Sequence, residues 1–246
     1  MKSLVCISKT PDTTAKISFK DGDTKFNEDG IQFIMNPYDE WYSLVRAIEM
    51  KEKHGGTVTV VNVGPASNDI IIRKALAIGA DDAVRIDGAT DSAIDVASQI
   101  ADFAKEKGYD IIFLGKETID YNGSEVGGMI AELLDLPYLS FAYKMDHDGT
   151  TATVSCEIEG GLQVVEVSGP FVLSATKGMA EQRIPNMRGI MMAKRKPLQV
   201  VEGSSTKGQV AIAKYSLPEE KSGVKMVDPE NMDELVRLLH EEAKVI

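Results

Sequence analysis

Residues 110–129, DIIFLGKETIDYNGSEVGGM, decide how this chain is to be read. An apolar run (Ile111, Ile112, Phe113, Leu114) breaks at Gly115 into a polar loop carrying Asp120, Asn122, Gly123 and Ser124. Apolar residues then return at helical spacing, Val126, Met129, Ile130, Leu133 and Leu134, from about Ser124 to Leu134. The order is strand, loop, helix start, with Ser124 as a candidate cap. Unpaired N–H groups at a helix N-terminus, backed by the helix dipole, form a seat for phosphate, so a nucleotide is the first ligand to consider. The plainer alternative is one ordinary βα turn of a parallel sheet.

The same texture extends upstream. Leu4–Ile7 reads as a buried strand ending at Ser8 and Lys9, followed by a long polar loop to Gly30. At Asn36, Pro37, Tyr38, Asp39 and Glu40 the helix-start signals coincide: Asn as cap, Pro in the first turn, two acids against the dipole. Trp41, Leu44, Val45 and Ile48 share a face of that helix, which stops near Gly55 and Gly56. A β-branched strand from Thr57 to Val63, a helix with Ile72, Ala75 and Leu76 ending at Gly79, and a strand from Ala83 to Ile86 come next. A helix capped by Asp91 then carries Ile94, Ala97, Ile100 and Ala101. Alternating strands and helices predict an α/β fold with a doubly wound, mostly parallel sheet, whose ligand crevice lies at the carboxyl ends of the strands. Ser8 and Lys9, Val63 and Gly64, and Gly115 and Lys116 stand at such ends.

After Pro137 the pattern turns antiparallel. Phe141–Met145 and Thr151–Glu157 flank the hairpin signal Asp146, His147, Asp148, Gly149; Leu162–Val167 and Phe171–Ala175 follow. From 176 to 196 periodicity fails, and a methionine-rich loop with Met179, Met187, Met191 and Met192 is expected, suited either to repacking on partner surfaces or to covering its own core. Pro229–Ala243 reads as an amphipathic helix with Met232, Leu235, Val236 and Leu239 on one side, at the end of an arm that begins near Gly203–Gly208. The expected division is a nucleotide-binding domain, 1–200, and a C-terminal extension, 201–246.

With 246 residues and 43% hydrophobic content the chain can bury a sizeable core, and its net charge of −11 argues against nucleic acid or an anionic membrane as partner. The basic cluster Lys194, Arg195, Lys196, near Arg183 and Arg188, is either a solvated face or a patch for an acidic partner. Cys6 and Cys156 form no CxxC, and neither a membrane span nor a signal peptide is indicated, so a reduced, cytoplasmic setting is expected. His54, His147 and His240 lack ligand spacing and read as surface residues; no metal chemistry is expected. There is no GxGxxG after the first strand and no GxxxxGKS/T loop. Ser124 has no base at motif spacing, and Glu157 and Glu159 would point the same way from one strand, as a solvated face or as paired carboxylates.

On these residues the chain closely resembles the beta-subunit family of electron transfer flavoproteins, over nearly its whole length. The resemblance rests on VCISKTPD near the start, MNPYDE at Met35–Glu40, VNVGP at Val61–Pro65, KALAIGADDAVRI at Lys74–Ile86, LGKETID at Leu114–Asp120, EIEGGLQ at Glu157–Gln163 and AEQRIPNMRGIMMAKRK at Ala180–Lys196. It implies an adenine nucleotide alpha hydrolase-like fold and a heterodimer whose alpha subunit carries the redox-active FAD. It also implies a nucleotide held in this chain, AMP in most of the family or a second FAD in the electron-bifurcating branch. Carried over by position, its contacts are Ile7, Asn36, Pro37, Tyr38, Asp39, Val63, Gly115, Lys116, Glu117, Thr118, Ile119, Asp120, Tyr121, Asn122, Gly123, Ser124, Glu125 and Val126. Asp39, Val126 and Gly127 match the bifurcating pattern, whereas Tyr121, Gly123 and Ser124 fit neither branch. The family's partner loop corresponds to Ala180–Lys196, with Met187 at the anchor position and Ile190 beside it. Glu157 aligns with a glutamate that helps place the flavin domain. The C-terminal extension would pack on the alpha subunit. The expected activity is that of an electron carrier docking flavin-containing dehydrogenases, not an enzyme in itself. The rivals are a bifurcating, NADH-oxidising variant and an adenine-nucleotide hydrolase, the latter disfavoured by the lack of an SGGxDS-type loop.

Overall fold

The computed structural model describes residues 1–204, 208, 210–220 and 223–246. Strand β1 (Lys2–Cys6) leads into β2 (Lys9–Pro11), the small hairpin strands β3 (Phe19–Lys20) and β4 (Lys25–Phe26), and β5 (Phe33–Met35). Helix α1 (Asp39–His54), β6 (Thr57–Val63), a 3-10 turn (Ala66–Asn68), α2 (Asp69–Ile78), β7 (Asp82–Asp87), α3 (Ala93–Ala104), β8 (Ile111–Gly115) and α4 (Val126–Leu134) continue the alternation. Then come β9 (Tyr138–His147), β10 (Thr151–Ile158), β11 (Gly161–Ser168), β12 (Phe171–Ala175), α5 (Met187–Ala193), β13 (Leu198–Glu202) and α6 (Met232–Arg237), the last passing into a π-helical turn, Leu238–Ala243.

One nine-stranded sheet runs β11-β10-β9-β12-β8-β1-β6-β7-β13. Every pair from β9 to β13 is parallel, and β10 and β11 extend the sheet as an antiparallel hairpin. Side chains alternate across the strands and build a core on each face. Val5, Val58, Val60, Ile111 and Phe113 pack with Trp41, Leu44 and Ile48 of α1 and Ile72 and Leu76 of α2. Leu4, Cys6, Ile112 and Leu114 pack with Ala97 and Ile100 of α3 and Ile130 of α4. The expected doubly wound fold is therefore present. Because the chain moves from β1 out to β6 and β7 and then returns to the other side of β1 with β8, the ends of β1 and β8 diverge and leave the crevice that this topology offers to ligands.

Several local expectations are corrected. Helix α1 starts at Asp39, so Asn36 does not cap it and Pro37 lies outside its first turn; no side chain caps it. Ser92, not Asp91, caps α3, its hydroxyl accepting the Asp95 N–H at 3.3 Å. Helix α4 begins at Val126 rather than Ser124, and Ser124 spends its hydroxyl on Glu117. Glu159 lies beyond the end of β10, so it does not share a strand face with Glu157. The irregular 176–196 stretch contains α5, capped by Asn186, whose side chain accepts the Gly189 N–H. Lys196 leaves the basic cluster: its ammonium donates to the carbonyls of Leu76 and Ala80 at the end of α2. His54 and His147 are not independent surface residues but meet edge to face at 5.6 Å. Part of the polar stretch 203–208 falls outside the described residues.

Candidate functional site: a crevice at the ends of β1, β6 and β8

Three strand ends bring the expected residues together. Ile7 follows β1, its N–H donating to Val61 O (3.0 Å) and its carbonyl accepting from Asn62 Nδ2 (2.8 Å). Val63 ends β6 beside it, and Gly115 ends β8 on the other side of β1. Asn36 is fully buried and ties the two loops across the crevice: its Nδ2 donates to Glu117 O and its Oδ1 accepts from Ile119 N–H, both at 3.0 Å. Its backbone N–H donates to Ser8 O (2.9 Å), so one side chain and one amide register the β1 loop, the start of α1 and the loop after β8. Asn36→Ala leaves two interior backbone groups without partners, at about 1–3 kcal/mol each. The expected result, read by hydrogen exchange, is loss of protection at Ile119 with the sheet amides unchanged.

The loop from Lys116 to Glu125 has the shape an anion needs. Asn122 and Ser124 both adopt left-handed backbone (φ 50° and 53°), alternating with Gly123 and Glu125. Among the described residues, the N–H groups of Gly123, Ser124, Glu125 and Val126 donate to no protein acceptor. Amides without a protein acceptor at the mouth of α4, with the helix dipole behind them, give a positive seat of the kind an anion needs. The loop is otherwise held from within, Asn122 N–H on Thr118 O (2.9 Å), Tyr121 N–H on Asp120 Oδ1 (3.0 Å) and Ser124 Oγ on Glu117 Oε2 (3.1 Å). A phosphate fits this donor set; a bare cation does not.

Beside this seat lies a cleft of about 240 Å³, walled by Tyr38, Asp39, Tyr42, Lys116, Thr176 and Lys177. Tyr38 stands at φ 64° and ψ −100°, a strained conformation for an aromatic residue, and is exposed. Burial pushes the Asp39 carboxyl up to about 6 against the pull of Lys116, with Glu117 and Glu157 adding to the rise. Glu157, distant in sequence, is thus within electrostatic reach of this end of α1. Glu40 lies deeper, its Oε2 accepting the Ser8 N–H at 2.7 Å, and burial pushes its carboxyl up to about 8. Tyr42, Thr176, Lys177 and Glu40 were not among the residues expected here. Glu40 is the last residue of MNPYDE and had a local signal, whereas Thr176 and Lys177 arrive through the β12–β8 pairing.

Met187 and Ile190 stand apart from the crevice, on α5, 73% and 42% exposed. Their segment is fastened to α1 and α2. Trp41 Nε1 donates to Arg183 O (3.1 Å), Arg183 makes a two-pronged pair with Glu52 (2.8 and 2.9 Å), and Arg73 donates to the carbonyls of Ala193 and Lys196. At Gly189 a methyl group would sit 2.4 Å from Ala77 O, so only glycine lets α5 lie this close to α2.

The chain has recognisable relatives among known proteins. The family model described as "Electron transfer flavoprotein domain" matches residues 23–206. The chain is 35% identical to the electron transfer flavoprotein subunit beta of Bacillus subtilis, covering 100% of both chains. It is 39% identical to the subunit of that name from Syntrophomonas wolfei, over 93% of this chain and 90% of the relative, and 31% identical to the mouse subunit, over 100% and 99%.

The chain belongs to the electron transfer flavoprotein beta-subunit family.

Its place is therefore electron transport among flavoproteins. Among the described residues no helix is long and apolar enough to cross a membrane.

Proposed function

We propose that this electron transfer flavoprotein beta subunit holds an adenine nucleotide in the crevice, supports an alpha subunit that carries FAD, and docks flavin-containing dehydrogenases through α5. The observation that carries the reading is the run of unpartnered amides at Gly123–Val126 at the switch point of the sheet. Backbone dipoles rather than a lysine clamp take the phosphate, which suits so acidic a chain. Ile7, Asn36, Pro37 and Val63 supply the strand-end walls for the nucleoside. The bound FAD of the alpha subunit supplies the electron-carrying chemistry; the residues here position it and its partners. Glu157, at the far end of β10, contributes negative charge toward that flavin domain.

A second reading has its own observation. The cleft beyond these amides, with an acid, two lysines and tyrosine walls, offers room for a ring system next to the phosphate seat, as the second FAD of a bifurcating subunit would need. Releasing the nucleotides of the purified heterodimer and separating them by chromatography decides: one FAD and one AMP support the first reading, two FAD the second, and no nucleotide beyond the alpha FAD sinks both.

The exposed apolar residues of 201–246, among them Leu217, Met226, Met232 and Val236, call for cover and support packing of this extension on the alpha subunit. Docking rests on Met187 and Ile190, with Arg188, Lys194 and Arg195 as the charged rim that steers an acidic partner. Met187→Ala removes a central anchor worth ~1–3 kcal/mol, so reduction by the partner dehydrogenase falls by roughly five- to a hundredfold at subsaturating concentration while nucleotide content stays the same. Unchanged reduction kinetics would remove the anchor role.

A further inference from the structure

The C-terminal arm does more than leave the domain. It starts at β13, which pairs with β7 at the sheet edge, and Gly203 N–H donates to Asp87 O (3.0 Å) as the chain leaves the strand. Gly208 lies against the start of α3, where a methyl group would meet Ser92 Oγ and Asp95 Oδ2 at 2.4 Å. Tyr215 is then found on the opposite side of the crevice. Its ring stacks on Phe19 of the β3–β4 hairpin (centroids 4.8 Å, planes 11° apart), its N–H donates to Asp23 O (2.7 Å), and its hydroxyl lies 3.4 Å from that of Tyr121. Lys214 adds a longer contact to Asp23 (3.8 Å).

Gly208 lies on the β7 side of β1 and Tyr215 beside the loop after β8, so the described parts of the arm stand on both sides of the crevice. Two-residue hairpin strands are marginal by themselves, and Tyr215 gives the β3–β4 hairpin both an aromatic face and a backbone bond.

The geometry points to Tyr215 as a positioning residue for the nucleotide: by joining the β3–β4 hairpin to Tyr121, it straps the loop after β8 and so slows release of a ligand seated there. This rests on the nucleotide reading above and adds a part of the chain which that reading assigns to the alpha subunit alone. Retention of the ligand is thereby linked to the seating of the arm.

The test uses the purified heterodimer, with the nucleotide remaining on the protein followed by chromatography during dialysis. Tyr215→Ala loses both stack and hydroxyl and is expected to release nucleotide roughly two- to tenfold faster, whereas Tyr215→Phe, which keeps the stack but loses the hydroxyl that reaches Tyr121, falls between the parent and the alanine variant. Amide exchange should quicken at 119–124 and at 23–26 in the alanine variant, with the sheet amides unchanged, a pattern that general destabilisation does not give. Should Tyr215→Ala fail to assemble, Phe19→Ala removes the same stack from the other side. Parental release rates in the alanine variants overturn the strap while leaving the nucleotide reading intact; a parent heterodimer with no nucleotide beyond the alpha FAD overturns both.

Discussion

Gly115→Val is expected to empty the crevice of the nucleotide proposed for it and to lower the melting temperature of this subunit by about 6–12 °C, the shift that ~3 kcal/mol produces in a chain of this size. A single added methyl at Gly115 would lie 2.9 Å from the Glu40 backbone nitrogen and Cγ and 3.0 Å from Asp39 Cβ. Overpacking of an ordinary core site costs about 1–3 kcal/mol because side chains can rotate away. Here the nearest group is the backbone of the first turn of α1, which can yield only if the helix itself moves. Asn36 precedes that turn by a few residues and clamps Glu117 and Ile119, so displacement of α1 pulls the loop after β8 out of register. Gly161→Ala is the control: nothing lies within 4 Å of the position. Thermal unfolding together with nucleotide content checks the result, and a Gly115→Val protein that melts normally with full occupancy would show that the close approach of α1 to β8 is dispensable.

The second large effect is on pH dependence. Burial pushes Glu40 up to about 8, so between the ordinary carboxylate range and that value the folded chain keeps a proton that the unfolded chain releases. Stability is therefore greatest near and below the unfolded value and declines as pH rises toward 8, by up to ~1.4 kcal/mol per unit, or on the order of a few kcal/mol in all. Asp39, pushed up to about 6, acts in the same direction over a shorter window. On the acid side the sense reverses: the N–H groups of Thr151 and Thr150 hold Asp148 down to about 2, so its contribution is lost as pH falls. Urea midpoints of this chain should peak at about pH 5 and fall toward pH 8. Glu40→Gln keeps an oxygen for the Ser8 N–H but cannot ionise, and its midpoint should fall less than half as far over that range. An equally steep profile in the variant would place the titration elsewhere.

The fold was legible because its signal is local and repeated. Ile111–Leu114 followed by Val126, Met129 and Ile130 specifies a strand and a helix regardless of what surrounds them, and the pattern recurs from Leu4 onward. Sheet order was not legible, since nothing within β8 says that it returns to β1 rather than continuing beside β7. Capping was legible only as a set of candidates. Asp91 and Ser92 are both able to cap α3, and the choice turns on one residue of backbone geometry. Asn36 has the chemistry of a cap, yet its side chain serves Glu117 and Ile119, more than eighty residues later, which no local window contains. Lys196 is a similar case: the sequence shows a positive charge in a basic run, and only tertiary packing shows it half-buried and bonded to carbonyls at the end of α2. Val63 and Gly115 close β6 and β8 as expected, whereas Lys9 opens β2 instead of ending a strand, and Thr176 and Lys177 were missed because β12 inserts between β8 and β9. Helix α5 escaped notice because a seven-residue helix in a methionine-rich stretch has too few turns to show a period.

Trp41 is the sole tryptophan of the chain. It sits two positions after Asp39 at the crevice, under the Lys74 ammonium (4.6 Å), and its indole N–H holds the carbonyl of Arg183 in the segment that leads to α5. Its emission therefore samples one junction between the crevice and the helix proposed to dock, and a shift of either should register as a change in intensity or wavelength with no label attached.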